Sequence, residues 1–195
     1  MTCLQPATTY RTAKAEDAGE IAKLFLLSSD GLAEYIWSKV DPGSTDILST
    51  GAKRYARENA DFGYRNCILA ETDGAVAGML HGFAMPVTTS EPDSDPVLRP
   101  YSELEAPGSY YIAGIAVHDR FRRKGIGQKL MALAEKRAHE LMLPTVSLIC
   151  FTANKPAMTL YSGLGYKETD RRAIVPVPCL KYQSGDAALL VKDLG

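Results

Sequence analysis

The residues best suited to chemistry lie between positions 110 and 127, where the chain reads YYIAGIAVHDRFRRKGIG. An apolar, strand-like stretch runs into a basic turn that contains glycine, and the turn opens a segment with helical spacing. The start of a helix leaves backbone N–H groups without intrahelical acceptors and carries the positive end of the peptide dipoles. Gly125 and Gly127 let the backbone approach a ligand closely, and Arg122, Arg123 and Lys124 add positive charge beside it. That combination suits a phosphate or pyrophosphate. Two common nucleotide patterns fail on residues. The G-x-G-x-x-G fingerprint meets Leu130 where its third small residue belongs, and the phosphate loop G-x-x-x-x-G-K-[ST] is absent.

Other chemistries find less support. His81, His118 and His139 lack H-x-H or H-x-x-x-H spacing, and Cys3, Cys67, Cys150 and Cys179 form no C-x-x-C pair, so no metal is expected. Cys150 reads as a small core residue, and the thiols as reduced. No G-x-S-x-G elbow or Cys/His pair suggests a hydrolase.

The segment RRKGIG at 122–127 resembles the [QR]-x-x-G-x-[GA] loop of the GNAT family of N-acetyltransferases, which bind acetyl-coenzyme A. The preceding Ile115, Ala116, Val117 and His118 look like the strand that leads into that loop. Residues 154–166, NKPAMTLYSGLGY, resemble the family's second signature, N-x-x-A-x-x-L-Y-x-x-x-G-[FY], at every fixed position. One helix and one strand separate the two motifs, as in the family. The opening YRTAKAEDAGEIAKLF is similar to the family's first strand and helix. The likeness is weakest over 28–65 and 86–108.

The resemblance implies a mixed, mostly antiparallel sheet with one splayed parallel pair, residues 109–117 and 145–151, flanked by helices. It implies that acetyl-CoA is the co-substrate. Ile115, Ala116 and Val117 would hold the pantetheine arm, with the Val117 N–H on the acetyl carbonyl in an oxyanion-hole role. Arg122, Arg123, Lys124, Gly125, Ile126, Gly127 and Gln128 would hold the pyrophosphate. Asn154 would bond the arm or simply cap a helix. Tyr161 occupies the general-acid position, where a phenol of ordinary pKa ≈ 10 is protonated at neutral pH. The general base varies in the family: Glu34 is the first candidate here, with Asp30, Glu103 and Glu105 beside it. Tyr110 and Tyr111 alternate, so one of them should face the cleft. Tyr35, Trp37 and Tyr55 line an acceptor pocket or belong to the core, and His118 contacts the coenzyme or lies in solvent. The acceptor would be an amine of a small molecule or protein. Two readings stand beside this one: a non-catalytic acyl-CoA-binding module, and an enzyme for a longer acyl chain. Homodimers are common in the family.

The elements that must position these residues alternate along the chain. Residues 8–12 read as a strand. Helices follow at 17–28, 32–40 and 47–60, divided by Gly31 and by the turn Asp41-Pro42-Gly43. A hairpin with Asp73-Gly74 at its tip joins strands 66–71 and 75–85. Residues 86–107 carry five prolines and read as a long loop without a regular element. Residues 109–117 form an apolar strand expected to be buried on both faces. A helix follows at 125–143, then a strand at 145–151 and a helix at 156–164, with Gly165 as its left-handed cap. Strands at 166–175 and 186–192 complete an α/β chain, read as a single domain over 1–195 with 86–108 as an insertion.

Composition bounds the partners. The chain has 195 residues, 46% hydrophobic and 23% charged, in the range of folded globular domains. Its formal net charge is −1, which disfavours nucleic acid. No apolar run suits a bilayer span, and the N-terminus lacks a secretory pattern, so the expectation is a cytoplasmic protein without a membrane partner.

Overall fold

The computed structural model describes residues 7–88 and 91–195. Cys3 lies outside them. Among the described residues seven strands form one sheet in the order β1-β2-β3-β4-β5-β7-β6. They are β1 (Thr9–Thr12), β2 (Cys67–Thr72), β3 (Ala75–Ala84), β4 (Tyr110–Val117), β5 (Thr145–Phe151), β6 (Lys167–Ala173) and β7 (Asp186–Asp193). The pairs β1–β2, β2–β3, β5–β7 and β6–β7 are antiparallel, and β4–β5 is parallel. Among the described residues six α-helices accompany the sheet: α1 (Ala18–Ser28), α2 (Leu32–Val40), α3 (Ile47–Tyr55), α4 (Arg99–Ser102), α5 (Ile126–Glu140) and α6 (Lys155–Gly163). The mixed α/β architecture expected from the sequence, mostly antiparallel with one parallel pair, is the one found.

The chain falls into two compact units, residues 1–82 with 114–133, and residues 83–113 with 134–195. In the first, Asp73 and Gly74 both take positive φ (54° and 72°), the conformation of a tight hairpin turn whose twist suits the flanking strands. Helix α1 buries Ile21, Ala22, Leu24 and Phe25. Phe25 collects Trp37, Tyr55, Phe62 and His81 around it, with ring centroids 5.5 to 6.1 Å away. Trp37 and Tyr55 are 1% and 0% exposed, so they belong to the core, and only Tyr35 of the aromatic trio stays half-buried.

In the second unit, β5 is the expected buried strand, with only Thr145 and Ile149 half-buried. Helix α6 starts on Asn154, whose side chain accepts the Ala157 N–H at 3.3 Å, and Pro156 sits in the first turn, where no N–H is required. It ends in a Schellman arrangement. The Tyr166 N–H donates to the Tyr161 carbonyl and the Gly165 N–H to the Ser162 carbonyl, each at 3.0 Å, and Gly165 has φ +90°.

Three expectations need correction. The third helix stops at Tyr55 instead of residue 60. Beyond it the backbone is satisfied by side chains: the Asn66 amide donates to the Ala60 and Asp61 carbonyls at 3.3 and 2.9 Å. The proline-rich stretch contains the short helix α4, because Pro100 falls in its first turn, where a proline costs no hydrogen bond. Asp93 and Asp95 accept the N–H groups of Asp95 and Val97 and so shape the approach to it. Finally, β4 is not buried on both faces. Its residues alternate buried and half-buried, with Ala113, Ile115 and Val117 on the half-covered face.

Candidate functional site

In the first unit, the end of β4 and the turn after it are built around small residues. A β-carbon at Gly78 would lie 2.7 Å from the Ala116 carbonyl oxygen, so β3 approaches β4 as only glycine allows. The His118 N–H donates to the Ala77 carbonyl of β3 at 2.9 Å. Successive N–H groups of a strand point to opposite edges, so the Val117 N–H points away from β3. The register of β4 with β5 covers only Tyr110 to Ile112 and does not reach Val117.

The turn that follows is held from behind. The Arg122 Nε donates to the Val117 carbonyl at 3.1 Å, and its Nη2 reaches Asp119 at 2.9 Å. Phe121 is buried and carries two cations on its ring, the Arg120 guanidinium at 4.7 Å and the Lys124 ammonium at 5.6 Å. Arg123 takes φ +61° and Gly125 φ +79°. Positive φ at a non-glycine residue costs energy and marks a turn whose shape is over-determined by its surroundings. Left-handed residues are among those from which backbone anion-binding turns are built.

Helix α5 starts immediately after. Its first intrahelical bond is from the Lys129 N–H to the Gly125 carbonyl at 3.0 Å, which leaves the N–H groups of Ile126, Gly127 and Gln128 without helical acceptors. Ile126 is buried and anchors the helix start, while Gln128 is exposed. A β-carbon at Gly125 would meet nothing within 4 Å, and one at Gly127 only Val117 Cγ2 at 4.0 Å. The open side of the turn therefore has the room, the donors and the positive charge that a pyrophosphate requires, and the residues present fit coenzyme A.

His118 does not lie free in solvent. Its Nε2 is 2.8 Å from Glu20 Oε1, and Glu20 also pairs with Lys23 at 3.0 Å. Partial burial pushes the Glu20 carboxyl up, but hydrogen bonds from Lys23 and His118 outweigh it and hold the group below the usual carboxylate range. Sequence reasoning missed Glu20 because nothing local links two residues 98 positions apart. Glu34 is exposed in the first turn of α2.

In the second unit, Tyr161 is 8% exposed on α6, with the Tyr166 ring 6.1 Å away. The Tyr166 hydroxyl is buried and has no hydrogen-bond partner among the described residues, and burial, helped by Glu135 and Tyr161, pushes its pKa up. Asn154 caps α6, the structural half of its expected role. Glu103 is occupied as an ion-pair partner of Arg172 at 3.0 Å and Arg99 at 3.7 Å. Tyr110 is buried. Tyr111 packs edge-on against Phe83, and burial together with Glu105 pushes its phenol up to about 12. The Ser109 and Ser147 hydroxyls, both buried, meet at 2.6 Å, a contact the sequence did not announce. Among the described residues no group of three or more His, Cys, Asp or Glu side chains is placed to hold a metal ion, and no helix is long and apolar enough to cross a membrane.

Comparison with known proteins bears on the family and the fold. The sequence profile of the Acetyltransferase (GNAT) family matches residues 34–166, more than half of the chain. No curated protein matches the sequence. Among solved structures, the chain is similar to an N-acetyltransferase from Staphylococcus aureus Mu50, at 19% identity and a TM-score of 0.65, over 94% of this chain and 100% of that one. It is similar to an agmatine N-acetyltransferase mutant in its apo form, at 13% identity and 0.67, over 96% and 99%. It also resembles yncA from Salmonella typhimurium, solved with its cofactor acetyl-CoA, at 17% identity and 0.61, over 97% and 95%. At such identities these likenesses speak for the fold, and the profile match speaks for the family: the chain belongs to the GNAT family of acetyltransferases.

Proposed function

We propose that this protein transfers the acetyl group of acetyl-CoA to a primary amine by direct attack within a ternary complex, the chain acting as one catalytic domain. The observation that carries this reading is the 122–127 turn. It joins positive φ at Arg123 and Gly125 to the unbonded N–H groups that open α5. Arg123, Lys124 and the backbone of Gly125 to Gln128 hold the pyrophosphate, while Arg122 contributes charge and braces the turn through Val117 and Asp119.

Bound coenzyme supplies the acetyl group as an activated thioester. The half-covered face of Ile115 and Val117, with Ala116 between them, lies along the pantetheine arm. The Val117 N–H donates to the acetyl carbonyl oxygen, a fixed donor where negative charge develops. Tyr161 holds the proton that its hydroxyl delivers to the departing sulfur. Glu34 is the first candidate to take the proton from the amine. Asn154 contributes to the arm through the same side chain that caps α6.

The test is a thiol-release assay with acetyl-CoA over a panel of amines: polyamines, amino acids, aminoglycosides and peptides with free N-termini or lysines. Turnover on one class establishes the activity and names the acceptor. Tight coenzyme binding with no thiol release across the panel would overturn it in favour of a binding module.

A further inference from the structure

Seven of the eleven arginines pair with a carboxylate. Arg11, Arg65, Arg99, Arg122, Arg137, Arg171 and Arg172 each form an ion pair. Among the described residues the exceptions are Arg54, Arg57, Arg120 and Arg123. Arg120 and Arg123 belong to the turn where an anion is already expected. Arg54 and Arg57 do not. They line an open surface pocket of about 280 Å³ in the first unit, together with Lys53, Thr50, Val40 and Asp41.

What holds these cations in place is neutral. The Arg57 Nε donates to the Arg54 carbonyl at 2.8 Å, and its Nη2 donates to the Phe62 carbonyl at 3.3 Å. The Arg54 guanidinium lies over the Phe62 ring, 5.3 Å from its centroid. Carbonyls and an aromatic face fix a guanidinium without cancelling its charge. Burial and the nearby charge of Arg57 both make the protonated form of Arg54 less favourable than it is in water. Among the described residues no ion pair within 4 Å links Asp41 to any of the three cations, and the lining sets one carboxylate against three cations.

The end of α3 accounts for part of this. Cations in the last turn of a helix are favoured by the dipole, and Lys53 and Arg54 sit there. The dipole does not account for Arg57, which lies beyond the helix and is turned back onto it. Gly63 belongs to the same construction. A β-carbon there would stand 2.4 Å from the Arg57 carbonyl oxygen, so the return of the chain past Arg57 requires glycine.

We infer that the pocket between α2 and α3 binds a compact oxyanion, a carboxylate or phosphate group of a small molecule, through Lys53, Arg54 and Arg57. Guanidinium groups fixed in advance lose little freedom when they bind, and a planar fork matches either oxyanion. The site is separate from the 122–127 turn and stands without the coenzyme reading.

The experiment is NMR on the full chain, following the arginine Nε–Hε signals during titration with inorganic phosphate and, separately, with acetate. Sodium chloride at matched ionic strength serves as the control. The expected result is a saturable shift of the Arg54 and Arg57 signals with phosphate, acetate or both, the response to each salt naming the group preferred. Arg57 is exposed, so Arg57→Gln should leave the fold intact. It should weaken the binding roughly tenfold, the loss of one charge-assisted contact. Arg123→Gln should leave these shifts unchanged. Shifts that follow ionic strength alone, equal in chloride, would overturn the inference. Because the signals report residue by residue, that outcome is distinguishable from a failure of the 122–127 turn to hold coenzyme.

Discussion

Single residues carry the sharpest consequences. Tyr161 is buried on α6, and the proposed mechanism makes it the proton donor. If its hydroxyl protonates the departing sulfur, Tyr161→Phe should lower kcat by roughly 100-fold or more while acetyl-CoA affinity stays near the wild type. Steady-state kinetics beside calorimetry would separate the two, and unchanged turnover removes the role. His81 tests the core instead. It is 0% exposed, shares a hydrogen bond of 3.1 Å between Nδ1 and the Tyr55 hydroxyl, and reaches the Asp61 carbonyl at 2.9 Å through Nε2. Burial pushes its pKa down to about 4, with Arg54 acting in the same direction and the bond to Asp61 opposing. The fold thus favours the neutral ring. Above pH about 6.5 the ring is neutral in both states and its contribution is complete. As pH falls toward 4 the unfolded chain takes up a proton that the folded one refuses, and the contribution is lost. The loss is on the order of 3 kcal/mol. Urea unfolding should show that slope in the wild type, and His81→Gln should flatten it. Carboxylates titrate in both proteins and drop out of the difference.

At the scale of elements, β4 and its turn decide whether the site exists. Gly78 lets the Ala116 carbonyl sit 2.7 Å from where a side chain would start, and that neighbour is backbone, which yields little. Gly78→Ala should therefore cost about 1–3 kcal/mol in urea unfolding, an overpacking penalty. Gly125 is the opposite case. Space around it is open, so Gly125→Glu would act through its positive φ and through a carboxylate placed in the proposed pyrophosphate site. Coenzyme binding should vanish in calorimetry while the fold persists. Much of this scale was legible in advance. The Asp73-Gly74 hairpin, Gly165 as cap and Pro156 in the first turn of α6 follow from local backbone preferences. Helix α4 and the early end of α3 were not legible. Both depend on distant or loop contacts, such as the Asn66 amide on the Ala60 carbonyl, and no periodicity records those.

For the whole molecule, a net charge of −1 hides where the charges fall. Among the described residues, the arginines without a carboxylate partner are Arg120 and Arg123 beside the basic turn and Arg54 and Arg57 in the α2–α3 pocket, a distribution the total does not show. The two motifs were readable because each is a contiguous run with fixed spacing. The Glu20–His118 pair and the Arg54–Arg57 pocket were not, since they exist only once α1 and α3 are packed. The single tryptophan, Trp37, brings a last consequence. It is 1% exposed, beside Phe25, and a β-carbon on Gly51 would stand 2.5 Å from its ring. Its emission should accordingly be blue in the native protein and move to the red when water reaches the indole. It is thus a built-in optical reporter for the helices of the first unit. Should the second unit loosen on its own, tryptophan fluorescence would stay silent while circular dichroism changed, so matching melting curves from both signals would mark a cooperative chain.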